Sequence, residues 1–398
     1  MECKRCGNRD PNFFYLGSRG YYCRKCVRFK RILLDEEDEG LLYDIDTSHF
    51  KSELSFNLTK YQLKASNDIC KYINSGYDVL LNSVCGSGKT EIVVKTIEEY
   101  IKKGLKVCYA ISRKEVVIEL FLRYKKIFKD ANVVAVYGDH HDKLIGDFII
   151  CTTHQLFRYY KTFDLLILDE VDAYPLSGNK TLMNIAHNSC KGRIIYSTAT
   201  LNKFILDYIK KRNYKEVNLY VRPSLKPLIV PKVYYCPRIL NTLLLKKILN
   251  KSDKQWIVFV SRKRECERLN RRFKKIFNTT YVYSDLDKRR KNINDFKTKK
   301  HQIIFSTTVL ERGITINDVN VLILFDRGDA FSKESLIQMC GRVGRNFNNP
   351  YGELYIVANC LDKNIIDCKK EIEGANKSYE MQIMWIEYWY YISIRNIY

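Results

Sequence analysis

From residue 56 onward, short apolar runs alternate with segments whose apolar positions recur at helical spacing. A first set of runs covers residues 79–81, 107–111, 133–136, 148–151, 165–168 and 194–196. A second covers 233–236, 256–260, 281–283, 303–305, 319–325 and 354–357. Runs that are apolar on both faces and separated by helices predict parallel strands. Two such sets predict an α/β protein with two tandem parallel-sheet lobes, at 56–222 and 223–398. The proline-containing segment 222–231 is the expected hinge. No short internal repeat is evident. Residues 384–392 are strongly aromatic, which predicts a final helix packed on the second lobe or a partner-docking patch.

Before residue 56 the pattern changes. Cys3-x₂-Cys6 and Cys23-x₂-Cys26 have the spacing of a four-thiolate zinc site, with Gly7 suited to the positive φ of a knuckle turn. A redox pair is the competing reading. Residues 1–30 cannot build a core of their own, so zinc would supply the folding energy of the module. Its basic side chains suit either DNA or a protein partner. Residues 31–55, including the acidic run 35–39, read as a solvated linker.

Composition adds charge to this picture. The 398-residue chain carries a formal charge of +23, spread along its length rather than gathered on one amphipathic helix. That distribution favours a nucleic-acid partner over a membrane surface. Ten of the 14 cysteines are scattered singly, as buried thiols are in a reducing compartment. The opening residues lack an apolar signal core, and no stretch reaches membrane-spanning length. The expectation is a cytoplasmic protein without membrane insertion. A peripheral position at the inner membrane face is the alternative.

The chemistry sits at the ends of the apolar runs. Residues 82–91, Asn-Ser-Val-Cys-Gly-Ser-Gly-Lys-Thr-Glu, lie between a strand and a helix, where a phosphate-binding loop belongs. Backbone N–H groups near Gly86 and Gly88 would close on the phosphates of ATP. Lys89 supplies charge, and Thr90 is a candidate Mg²⁺ ligand. Ser83 stands where the first glycine of that pattern usually lies. Ser87, Glu91 and Gln338 complete the candidate nucleotide set, and the Gln62 amide could pair with an adenine edge. After the run 165–168, Asp169 is expected to hold Mg²⁺ and Glu170 to polarise the attacking water. Residues 197–200, Ser-Thr-Ala-Thr, would bridge that acidic box to the second lobe. Arg342 and Arg345, three apart and on one face if helical, are expected to reach the γ-phosphate from the second lobe. Adjacent His140 and His141 read as an ordinary loop rather than a metal site.

In order and spacing these motifs resemble the superfamily 2 helicase core, with its tandem RecA-like lobes. More narrowly, they resemble the ComFA-type competence ATPases of Gram-positive DNA uptake. That second resemblance rests on the cysteine module, residues 151–156 (Cys-Thr-Thr-His-Gln-Leu), 169–175 (Asp-Glu-Val-Asp-Ala-Tyr-Pro), 307–313 and 338–345. Met339 departs from an arginine found in some helicases. The resemblance implies a single-stranded-DNA-dependent ATPase and translocase using ATP, Mg²⁺ and Zn²⁺. It also implies a phosphoribosyltransferase-like competence protein as partner, and proximity to a membrane uptake channel. Ser112, Arg113, Thr152, Thr153, Thr307 and Thr308 occupy the positions that touch the strand's phosphates in the helicase pattern. An RNA or DNA-repair helicase and a non-hydrolysing scaffold are the alternatives.

Overall fold

The computed structural model describes residues 1–35, 41, 43–45, 50–314, 316–326 and 331–395, with side chains described as far as residue 387. Most of the acidic run 35–39 lies outside the described residues, as do the side chains at the end of the aromatic segment. The described chain forms two compact units, Met1–Ser83 with Gly88–Leu219, and Val84–Ser87 with Tyr220–Tyr398.

The first unit opens with an antiparallel hairpin, β1 (Phe14–Gly17) and β2 (Gly20–Cys23). Helix α1 (Lys60–Asn74) follows, then β3 (Asp78–Ser83), α2 (Lys89–Ile92), α3 (Val94–Lys102), β4 (Val107–Ile111) and α4 (Lys114–Ile127). Next come β5 (Val133–Val136), β6 (Phe148–Thr152), β7 (Phe163–Leu168), α5 (Lys180–Ser189), β8 (Cys190–Thr198), α6 (Lys203–Ile209) and β9 (Tyr214–Leu219). Strands β3 to β9 form one sheet in the order β5-β6-β4-β7-β8-β3-β9, and every pairing is parallel. β4, β5 and β6 are buried along their whole length, as β-branched and apolar runs covered on both faces must be. β9 was not foreseen. It is a half-exposed strand at the sheet's edge whose Lys215, Glu216 and Asn218 break the apolar signal.

The cysteine module shares the interior of this unit. Cys3, Cys6, Cys23, Cys26, Phe29 and Ile32 belong to one buried cluster with Leu80, Ile149 and Leu166 of the sheet. Its backbone is held by α5: Asn184 Nδ2 donates to Cys6 O at 2.8 Å, and Asn188 Nδ2 to Arg5 O at 2.9 Å. Phe29 packs on Phe157, with ring centroids 5.9 Å apart.

The second unit contains β10 (Lys232–Tyr235), α7 (Asn241–Leu249), β11 (Gln255–Phe259), α8 (Lys263–Phe273), β12 (Thr279–Val282), α9 (Arg289–Lys297) and β13 (Ile303–Ser306). β14 (Val319–Phe325), α10 (Lys333–Cys340), β15 (Leu354–Ala358) and α11 (Lys363–Arg395) complete it. The sheet order is β10-β15-β14-β11-β13-β12, again parallel throughout. α11 buries Ile365, Cys368 and Ile372 in the core. Further along, Asn376 exchanges two hydrogen bonds with the backbone of Leu228, and Gln382 accepts one from Tyr220 N. Met384 and Trp385 are exposed rather than packed.

Candidate functional site

The phosphate-loop sequence turns from β3 into α2, two elements of the first unit. Gly86 and Gly88 have φ of 80° and 85°. The φ of 85° favours glycine at 88, and a Cβ there would also press on the end of the Gln62 side chain. Gln62 is fully buried, not a surface residue. It closes a capping box with Thr59 at the start of α1, its Oε1 accepting from Thr59 N at 3.0 Å. Lys89 is half-buried, and its ammonium has no hydrogen-bond partner among the described residues. Ser83 Oγ is likewise buried without one. Glu91 accepts from Arg123 Nη1 at 3.0 Å, an ion pair that uses one oxygen of its carboxylate.

Asp169 follows β7 and is held on both oxygens. Tyr109 OH donates to Oδ2 at 2.6 Å, while Ser197 Oγ and Glu170 N donate to Oδ1 at 2.7 and 2.9 Å. Burial and the adjacent carboxylate push the Tyr109 hydroxyl far above the ordinary phenol range, so it remains a donor. Asp172 accepts from Thr198 Oγ1 at 2.8 Å and Thr200 Oγ1 at 2.9 Å. Residues 197–200 therefore brace the acidic box within the first unit. Glu170 has φ of 51°, the left-handed region that costs a side chain bearing Cβ.

The two candidate Mg²⁺ ligands are joined through the core. Tyr124 OH donates to Thr90 O at 2.9 Å, and its ring lies 5.7 Å from that of Tyr109, which holds Asp169. Tyr109, Tyr124 and Arg123 carry no motif that sequence reasoning could read. They were found only because strand β4 and helix α4 bring them here.

At neighbouring strand ends, Thr152 closes β6, Thr153 begins a 3₁₀ turn, and Arg113 precedes α4. Ser112 Oγ and Thr153 Oγ1 are buried hydroxyls without a hydrogen-bond partner. His140 lies in a tight turn, exchanging backbone hydrogen bonds with Tyr137.

In the second unit, Thr307 is half-buried and Thr308 exposed, both just beyond β13. Gln338 is buried on α10, which ends at Cys340. The helical face expected for the arginine pair is absent, because Gly341 and Gly344 turn the chain out of the helix first. Arg342 is 1% exposed. Its Nε donates to Glu311 O at 3.1 Å and its Nη1 to Ile314 O, clamping the segment after β13. Arg345 is half-buried, and among the described residues only its Nε is bonded, to Gly341 O at 2.9 Å. A buried arginine missed by sequence reasoning, Arg222, donates to Val343 O at 2.8 Å and Gly341 O at 3.2 Å. Burial, aided by nearby Arg345, pushes its pKa down to about 10. A cavity of about 550 Å³ elsewhere in this unit is lined by Arg238, Arg262, Arg264, Arg268 and Arg272.

The four cysteines of the module are buried, and their sulfurs lie within 4.8 Å of one another. The Cys3–Cys26 and Cys6–Cys23 separations are both 3.7 Å. Tetrahedral ligands at a zinc–sulfur distance of about 2.3 Å stand about 3.8 Å apart, so the donor set fits zinc. Without metal, hydrogen bonds from Cys26 and Cys6 favour a thiolate at Cys3. The hydrogen bonds that Cys26 makes to Cys3 and Cys6, with burial, hold its own thiol well above the ordinary range.

A phosphate loop and an acidic box on one parallel sheet, with arginine motifs on another, define a helicase-type ATPase. Residues 55–203 match the family described as type III restriction enzyme, res subunit, and residues 238–347 match the helicase conserved C-terminal domain. The chain is 31% identical to competence protein ComFA of Streptococcus pneumoniae, over 95% of this chain and 90% of that protein. It is also 31% identical to ComFA of Bacillus subtilis, over 94% and 86%. The chain belongs to the ComFA family of competence proteins. Among solved structures, Saccharomyces cerevisiae Dbp5 bound to RNA and ADP BeF3 is similar in fold. Its TM-score is 0.58 at 18% identity, covering 80% of this chain and 91% of that one. No helix among the described residues is long and apolar enough to cross a membrane.

Proposed function

We propose that the chain hydrolyses ATP in response to single-stranded DNA and uses the cycle to move along the strand during DNA uptake. The observation that carries this reading is the doubly anchored Asp169 beside Glu170, in the same unit as Lys89, whose ammonium has no partner among the described residues. Thr90 and Asp169 are the residues that would hold Mg²⁺, which neutralises phosphate charge when bound. Glu170 would orient the water. Arg345, with Arg342 as its neighbour, would spread charge over the γ-phosphate. Gln62 would select adenine. The orphaned hydroxyls of Ser112 and Thr153, with Arg113, Thr152, Thr307 and Thr308, would take backbone phosphates, which carry no sequence information.

The test is ATPase activity of the full chain with and without a 30-nucleotide poly(dT). Stimulation lost in Glu170→Gln supports the reading; equal, unstimulated turnover in both proteins overturns it. Affinity should fall with salt at a slope of about −0.7 per phosphate neutralised. Poly(U) stimulating as well as poly(dT) would favour an RNA substrate. The four-cysteine site would hold zinc, and Cys23→Ser with Cys26→Ser should abolish its stoichiometric content. A phosphoribosyltransferase-like competence protein and a membrane uptake channel are the partners that family membership suggests.

A further inference from the structure

The outward face of the cysteine module has a composition that its metal site does not explain. β1 and β2 pair with Tyr15 opposite Tyr22 and Gly17 opposite Gly20. Directly opposed residues in an antiparallel pair project to the same side, so both tyrosines share one face with two glycines beside them. A Cβ at Gly17 would come within 3.2 Å of the Tyr22 ring, so that face stays low where the ring lies. The rings are 5.8 Å apart. Arg24 lies over Tyr15 at 5.1 Å and Arg31 over Tyr22 at 4.5 Å. The two rings meet edge to face, and each has a guanidinium against it.

Three observations argue against simple packing. Tyr15 is 52% exposed, although the module already buries Phe29 and Ile32 against the sheet. Neither Arg24 nor Arg31 has a carboxylate within ion-pairing distance among the described residues. Residues 1–31 hold nine lysines and arginines against two carboxylates. An exposed ring beside a half-buried one, flanked by guanidinium groups without ion pairs among the described residues, suits single-stranded nucleic acid, since bases stack on rings while phosphates need cations. A duplex hides its bases from such rings.

We propose that this hairpin face is a second contact for single-stranded DNA, stacking bases on Tyr15 and Tyr22 and holding phosphates with Arg24 and Arg31. It rests on the single-stranded DNA reading above, but involves none of the residues assigned there to ATP or to the strand. The test is photocross-linking of the zinc-loaded full chain to a poly(dT) 30-mer carrying 5-iododeoxyuridine, followed by peptide mapping. Adducts at Tyr15 or Tyr22 are expected; adducts confined to other peptides overturn the proposal. In parallel, Tyr15→Ala with Tyr22→Ala should weaken binding of the 30-mer by about tenfold or more, with zinc retained. The double phenylalanine variant should bind as the parent does. If the alanine variant loses zinc, the cross-link on the parent protein decides. Unchanged DNA affinity with loss of a protein partner would assign the face to protein docking, and would also overturn the proposal. DNA-stimulated turnover without hairpin adducts would sink this contact alone. Adducts without stimulation would sink the ATPase reading alone.

Discussion

The acidic box of the first unit and the arginine pair of the second are both enclosed by hydrogen bonds, yet with opposite consequences. Asp169 accepts three donors, and Asp172 two. A carboxylate offers about four lone-pair positions, so hydroxyls can fix Asp169 and leave it able to meet a metal's water shell. Arg342 has its donors directed at the carbonyls of Glu311 and Ile314, which diminishes what it can offer a phosphate. Arg345 has one bond to backbone and both terminal nitrogens unpaired among the described residues. Being held prepares an acceptor for work, whereas it engages a donor elsewhere.

The sharpest way to break this contrast is to remove each arginine in turn. Arg345→Ala should lower DNA-stimulated kcat about 10³-fold with an unchanged melting temperature. Equal activity in Arg345→Ala and the parent would end the assignment. The next largest effect separates the units by pH. His187 of the first unit accepts from or donates to Tyr196 OH at 2.9 Å, and burial pushes its pKa down to about 4. The imidazole is neutral when folded, while the unfolded chain takes up a proton below about pH 6.5. Stability is thus intact above pH 6.5 and falls as the pH drops towards 4, by about 3 kcal/mol. Denaturant melts at pH 7 and pH 5 should show the loss, and His187→Gln should flatten it. A smaller effect is expected of Arg342→Ala, about 2 kcal/mol of stability, from buried carbonyls left without donors. Chemical denaturation would measure it. Smallest is Tyr109→Phe, which removes one of three donors to Asp169. A drop of about tenfold in kcat is expected, with a smaller change in KM. A pure stability loss there would mean that Tyr109 only fills the core.

These differences show what a linear chain displays and what it conceals. The central strands, such as β4, β6, β11 and β14, were legible because burial on both faces demands unbroken apolar runs, whereas the run at 233–236 forms an edge strand, β10, that is largely exposed. β9 was not legible, because an edge strand carries charge. Thr59-x-x-Gln62 is a capping signature that was available in the sequence, and it explains why Gln62 is buried. The glycines at 341 and 344 likewise announced the end of α10. The link from Thr90 through Tyr124 and Tyr109 to Asp169 could not be read, because it joins residues about 80 positions apart through ring packing alone.

The thiol cluster carries a wider consequence. Its sulfurs are part of the sheet's own interior, tied down through Asn184 and Asn188, rather than an appendage on a tether. Oxidising or stripping such a cluster would open a gap in the interior of the first unit. The module would then behave as a fuse: when it fails, the whole first half of the machine loses its footing.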